Sequence, residues 1–120
     1  MKSRDHTKDY AKLLPAFRLL DQAASDFLQI PCINTPERTY HATIDGGTAV
    51  VGEPFSPSSN IGDASLCMDA LLLDGWTVSF YKKGAVFSCY ADKHRVVSVL
   101  APTIAFGITS IYVQVFAERY

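Results

Sequence analysis

The chain has 120 residues, 48% hydrophobic and 19% charged, the balance of one ordinary globular domain that buries roughly two-thirds of its unfolded surface; residues 1–120 are read as a single domain. Eleven basic against twelve acidic residues leave a formal net charge of −1, which excludes a global field for nucleic acid or an anionic membrane. No apolar stretch reaches the about eighteen residues of a membrane span, and MKSRDHTKDY is polar where a secretory leader needs an apolar core. Neither nucleic acid nor membrane is therefore expected as a partner, and the expected compartment is the cytosol.

Residues 1–8 read as a loose arm. Leu13, Leu14, Phe17, Leu20, Ala24, Phe27 and Leu28 then lay one apolar stripe along a helix from about Asp9 to Leu28. Pro15 suits a first-turn position, where its missing N–H costs nothing, so the start is placed between Asp9 and Leu14. Pro31 closes the segment. From Cys32 to Glu53 the period shifts toward two, and Tyr40–Ile44 and Thr48–Val51 flank Asp45-Gly46-Gly47, a hairpin signal because both glycines accept positive φ.

Pro54 to Asn60 is a loop that supplies an N-cap, Ser59 or Asn60, to a second helix carrying Ile61, Ala64, Leu66, Cys67, Ala70, Leu71 and Leu73. Gly75 stands where a glycine ends a helix. Trp76–Phe80, Ala85–Tyr90 and Val96–Leu100 read as three strands of an antiparallel meander, with Lys82-Lys83-Gly84 and Asp92–Arg95 in its turns. Trp76, Val78 and Phe80 share one parity and are assigned to the core, which leaves Tyr81 outward.

The segment after Pro102 admits two readings. As a helix, Ile104, Ile108, Ile111 and Val115, flanked by Ala105, Tyr112 and Phe116, oppose a stripe of Thr103, Gly107, Ser110, Gln114 and Glu118. Its many β-branched residues favour a strand instead; the two-faced pattern favours the helix. The expected fold class is α+β, an antiparallel sheet packed with about three helices in a sandwich-like arrangement.

No catalytic motif stands out. Ser58 and Ser59 have no assignable base and serve better at a helix start, and no phosphate-loop pattern is present. Cys32, Cys67 and Cys89 form no C-x-x-C pair, and His6, His41 and His94 lack ligand spacing, so neither metal nor cofactor is expected. Asp63, Asp69 and Asp74 read as the solvated face and favourable first turn of the second helix. The cluster of Lys82, Lys83, Lys93, His94 and Arg95 is either solvated turns or, if both turns meet on one edge, a cationic patch beside Tyr81 and Tyr90. That combination suits a base stacked next to its phosphates.

SNIGDASLCMDALLLDGW, Ser59 to Trp76, resembles the helix-and-turn signature of small bacteriophage proteins with the phage ABA sandwich domain and, more distantly, NinX-type proteins. Asn60, Ile61, Ala64, Leu71, Gly75 and Trp76 occupy the places of the pattern, and Phe80, Phe87, Pro102, Ala105 and Ile108 follow as the family's aromatic strands and late helix do. Ser65 departs from the large aromatic of the family's first turns, and Gly107 and Thr109 stand where an Arg is common. The resemblance implies a phage-encoded, non-enzymatic counter-defence protein in the cytoplasm of an infected bacterium, a homo-oligomer that sequesters a nucleotide-derived immune signal of cyclic-nucleotide or cyclic ADP-ribose type. The expected ligand-binding residues are Ser59, Asn60, Tyr81, Lys83, Tyr90, Lys93, His94 and Arg95. The alternative is a protein–protein interaction module that inhibits a host or defence protein.

Overall fold

The computed structural model describes residues 6–36 and 38–118, with side chains from Ala16 onward apart from Ile44 and Asp45. Three helices and two three-stranded antiparallel sheets make an α+β fold with overall extents of 57 × 41 × 24 Å. Helix α1 runs His6–Leu28, the first sheet comprises β1 Cys32–Asn34, β2 Thr39–Asp45 and β3 Thr48–Pro54, and helix α2 spans Ile61–Leu73. Strands β4 Thr77–Lys83, β5 Val86–Asp92 and β6 Val96–Ala101 form the second sheet, followed by helix α3, Ile104–Ala117.

Local signals place most of these boundaries. Gly46 and Gly47 take φ of +58° and +84°, the pair of positive values that a type I′ turn requires, and join Asp45 to Thr48. Asn60 caps α2 by accepting the Asp63 amide at 3.0 Å. Past Asp74, Gly75 at φ +95° lets its own amide reach Leu72 O and that of Trp76 reach Leu71 O, both at 3.0 Å, a Schellman closure. Thr103 caps α3 through the Phe106 amide at 3.1 Å.

The core lies between the second sheet and the three helices. The strand register puts Val78, Phe80, Phe87, Cys89, Ala91, Val97, Val99 and Ala101 on one face, and α3 seats Ala105, Ile108, Ile111, Tyr112 and Val115 in the interior. Helix α1 reaches α3 through Phe17 on Phe106, ring centroids 4.9 Å apart edge to face, and Phe27 on Tyr112 at 6.4 Å. Helix α2 contributes buried Ala64, Cys67 and Leu71. The first sheet is tied to α1 by Arg18, which donates to Thr39 Oγ1 at 2.9 Å and to Thr35 O, while Thr39 Oγ1 donates to Asn34 Oδ1 at 2.6 Å.

The last segment is thus a helix. Two expectations are corrected. His6–Lys8 belong to α1, residues 1–5 of the expected arm lying outside the described residues, so Pro15 is an interior rather than a first-turn residue. Gly107 is buried instead of solvated, because it packs on Cys89 and Ala101 of the second sheet, while Thr103, Gln114 and Glu118 of the same expected stripe are exposed. The strand order, left open by the sequence, separates the hairpin of β2 and β3 from the meander and pairs it with the short strand β1.

Candidate functional site

Alternation along the meander sends Thr77, Ser79, Tyr81 and Lys83 of β4, Val86, Ser88, Tyr90 and Asp92 of β5, and Val96, Ser98 and Leu100 of β6 to the side of the second sheet away from the helices. A one-sided antiparallel sheet ordinarily shows water a polar face. Here large apolar groups stand on it: Tyr81 is 61% exposed, Val96 60% and Leu100 66%. Ser88, opposite Tyr81 in the register, donates to Tyr90 Oη at 2.8 Å, and the rings of Tyr81 and Tyr90 meet edge to face with centroids 5.8 Å apart. This fixes a rigid aromatic centre, with Lys83 at one end of the face and Asp92 at the other.

The expected ligand set divides among three places. Tyr81, Tyr90 and Lys83 share this outer face. Ser59 and Asn60 lie at the N-terminus of α2, in a polar cleft of about 450 Å³ that also holds Arg38, Glu53, Ser56 and Asp63. There Asn60 is spent on its cap and Asp63 Oδ2 accepts the Ser56 amide at 2.9 Å; the two carboxylates oppose an anionic ligand. Lys93, His94 and Arg95 occupy the β5–β6 turn.

The two turns do not meet, which corrects the expectation of one cationic patch. Successive turns of an antiparallel meander fall at opposite ends of the shared strand, here the seven-residue β5, about 20 Å long at the usual rise. Lys82 points to the helix side. Lys93 is paired with Asp74 at 3.6 Å, and Arg95 with Glu118 while lying 6.0 Å from the Trp76 ring centroid. These cations fasten the meander to the ends of α2 and α3. Val96, Ser98 and Leu100 were missed as site residues, although they carry the parity of Tyr90 once the three-residue turn is counted.

Buried polar chemistry lies elsewhere. Asp21, 6% exposed, accepts the Ser58 amide at 2.9 Å, and Ser58 Oγ donates to Phe17 O at 3.2 Å. Burial pushes the Asp21 carboxyl above its ordinary value, and the Ser58 amide only partly pulls it back. Burial also raises the Cys67 thiol to about 12, with the Asp21 charge adding to the effect, and raises those of Cys32 and Cys89. These thiols are the reverse of activated nucleophiles. Among the described residues no group of three or more His, Cys, Asp or Glu converges on a metal position, and no helix is long and apolar enough to cross a membrane.

Fold and surface together define a small α+β protein with one sheet packed on helices and that sheet's other face open. Compared with protein-family models, curated proteins and solved structures, the chain matches none.

Proposed function

We propose that the protein is a non-enzymatic binding module that engages another protein through the outer face of β4–β6. The observation that supports this is the row of Tyr81, Val96 and Leu100, each at least 60% exposed, around the fixed Tyr90. Covering such a row recovers about 25 cal/mol per Å² of apolar area, and aromatic groups held rigid bind with little loss of rotamer freedom. Ser79 and Ser98 add hydrogen-bonding groups among the apolar ones. The fitting partner surface is apolar at its centre, with an acidic group opposite Lys83 and a basic group opposite Asp92.

Capture of a nucleotide-derived signal is the alternative, favoured by the Tyr81–Tyr90 pair and Lys83 sharing one face. It draws less support because Lys93 and Arg95 are engaged in ion pairs and Ser59 and Asn60 sit at the far end of α2. On either view, the resemblance of Ser59–Trp76 to small phage proteins leads us to infer action in the cytoplasm of an infected bacterium.

A photoreactive phenylalanine analogue at Ser98 tests the choice in the cells that make the protein. The expected result is one discrete protein crosslink, lost on Leu100→Lys and absent when the probe is moved to exposed Gln114 of α3. No crosslink at Ser98, together with a small-molecule adduct in native mass spectrometry that disappears in Tyr81→Ala, would overturn protein docking in favour of ligand capture.

A further inference from the structure

We propose that the free edge of β3 is a self-association site, at which a second copy of this chain adds its own β3 antiparallel to the first. The inference is independent of the outer face of β4–β6, since it concerns the other sheet. Among the described residues, the third strand in the order β1-β2-β3 has a neighbour on one side only, and its residues from Thr48 to Glu53 are all exposed, with Val50 at 46% and Val51 at 55%. Edge strands of this length are normally blunted by a charge, a proline or a bulge. Here those devices sit at the base alone, as Glu53, Pro54 and the irregularity opposite Tyr40–Ala42. Thr48-Ala49-Val50-Val51, on the turn side of the bulge at Gly52–Glu53, carries none.

The register identifies which backbone groups are free. A two-residue turn makes Asp45 and Thr48 a mutually hydrogen-bonded pair, and alternation then makes Thr43 and Val50 the next such pair. Ala49 and Val51 therefore direct their N–H and C=O groups to the open edge. Two copies related by a two-fold axis at Val50 would exchange both bonds between Ala49 and the partner's Val51, and both again between Val51 and the partner's Ala49. Four backbone hydrogen bonds result, with the two Val50 side chains meeting in the closer, non-hydrogen-bonded position.

Charge favours a second copy in this register. The strand's one charged residue, Glu53, lies in the bulge past the paired stretch, so the two Glu53 carboxylates are left at opposite ends of the joined strands and do not face each other. The contact is smaller than the roughly 1,200 Å² of a stable interface, so association is concentration-dependent.

Sedimentation of the full chain over a concentration series reads the result. The expected outcome is a monomer–dimer equilibrium that Val51→Pro shifts at least tenfold toward monomer. That proline deletes an outward N–H without removing a bond to β2. Val50→Lys and Val50→Glu should each be monomeric, and mixing them should restore a dimer, which excludes misfolding as the cause. A wild-type chain that stays monomeric throughout the series, or a dimer indifferent to all three substitutions, would overturn the proposal.

Discussion

Gly107 of α3 packs directly on Cys89 of β5: a Cβ at position 107 would meet Cys89 Cβ at 3.2 Å and collide with its Sγ. The missing side chain is what lets the enclosed helix lie this close to the sheet. Gly107→Ala gains helix propensity of up to about 1 kcal/mol, yet overpacking a closed core costs about 1–3 kcal/mol. The net expectation is destabilisation, read as a lower midpoint in urea. Removing the sulfur with Cys89→Ala in the Gly107→Ala background should recover part of the loss, a coupling that a double-mutant cycle measures. Additive effects would show that the two positions do not press on each other.

Legibility in the sequence followed the range of the interaction. The Gly46-Gly47 turn, the Asn60 cap and the Gly75 closure are decided within a few residues and were readable, as was the parity that sends Trp76 and Phe80 inward and Tyr81 outward. Gly107 was misassigned because a residue with no side chain gives no sign of which face it serves: Thr103, Gln114 and Glu118 of that stripe are exposed, while Gly107 is turned onto Cys89 and Ala101 of the sheet. The cations were misplaced for a topological reason: Lys83 and Arg95 both sit at turns, but β5 separates those turns by its full length. Arg18, which holds the first sheet through Thr39 and Thr35, left no pattern at all, since a lone arginine on a helix gives no sign of what lies across from it.

The buried Asp21 makes stability depend on pH. Its pKa is raised in the fold above the ordinary 3.8 by burial, so the folded chain holds a proton that the unfolded chain has released. Its contribution is present below pH 3.8 and is lost as pH rises through the elevated value. Asp21→Asn keeps an acceptor for the Ser58 amide without the charge. Urea titrations at several pH values should show little difference between variant and wild type near pH 3.5 and a relative gain for the variant toward neutral pH. A variant whose deficit grows with pH would mean that the charged carboxylate is the stabilising form.

Thiol chemistry should separate the cysteines by depth. Cys67 and Cys89 are fully buried and Cys32 is half-buried, and a thiol raised to about 12 has almost no thiolate at pH 8. In the folded chain alkylation at pH 8 is expected to reach Cys32 first, with Cys67 and Cys89 reacting at the rate of unfolding. Peptide mapping that finds Cys67 labelled as fast as Cys32 would contradict the packing of α2 on α3.

Arg18→Lys tests whether the first sheet depends on a forked contact. The guanidinium reaches Thr39 Oγ1 and Thr35 O together, and a lysine ammonium lacks the fixed fork that spans both. Thr39 is 1% exposed and its hydroxyl donates a hydrogen bond to Asn34 Oδ1, so losing the arginine disturbs a part-buried chain of donors and acceptors. Hydrogen bonds to charged groups contribute about 1.5–3 kcal/mol each, and lysine should recover only part of that. The loss should be local: amide hydrogen exchange in β1 and β2 is expected to accelerate by tenfold or more while α3 and β5, deep in the other core, keep their protection. Uniform acceleration would instead make Arg18 a support of the whole fold, and unchanged exchange in β1 and β2 would remove it as the anchor of the first sheet.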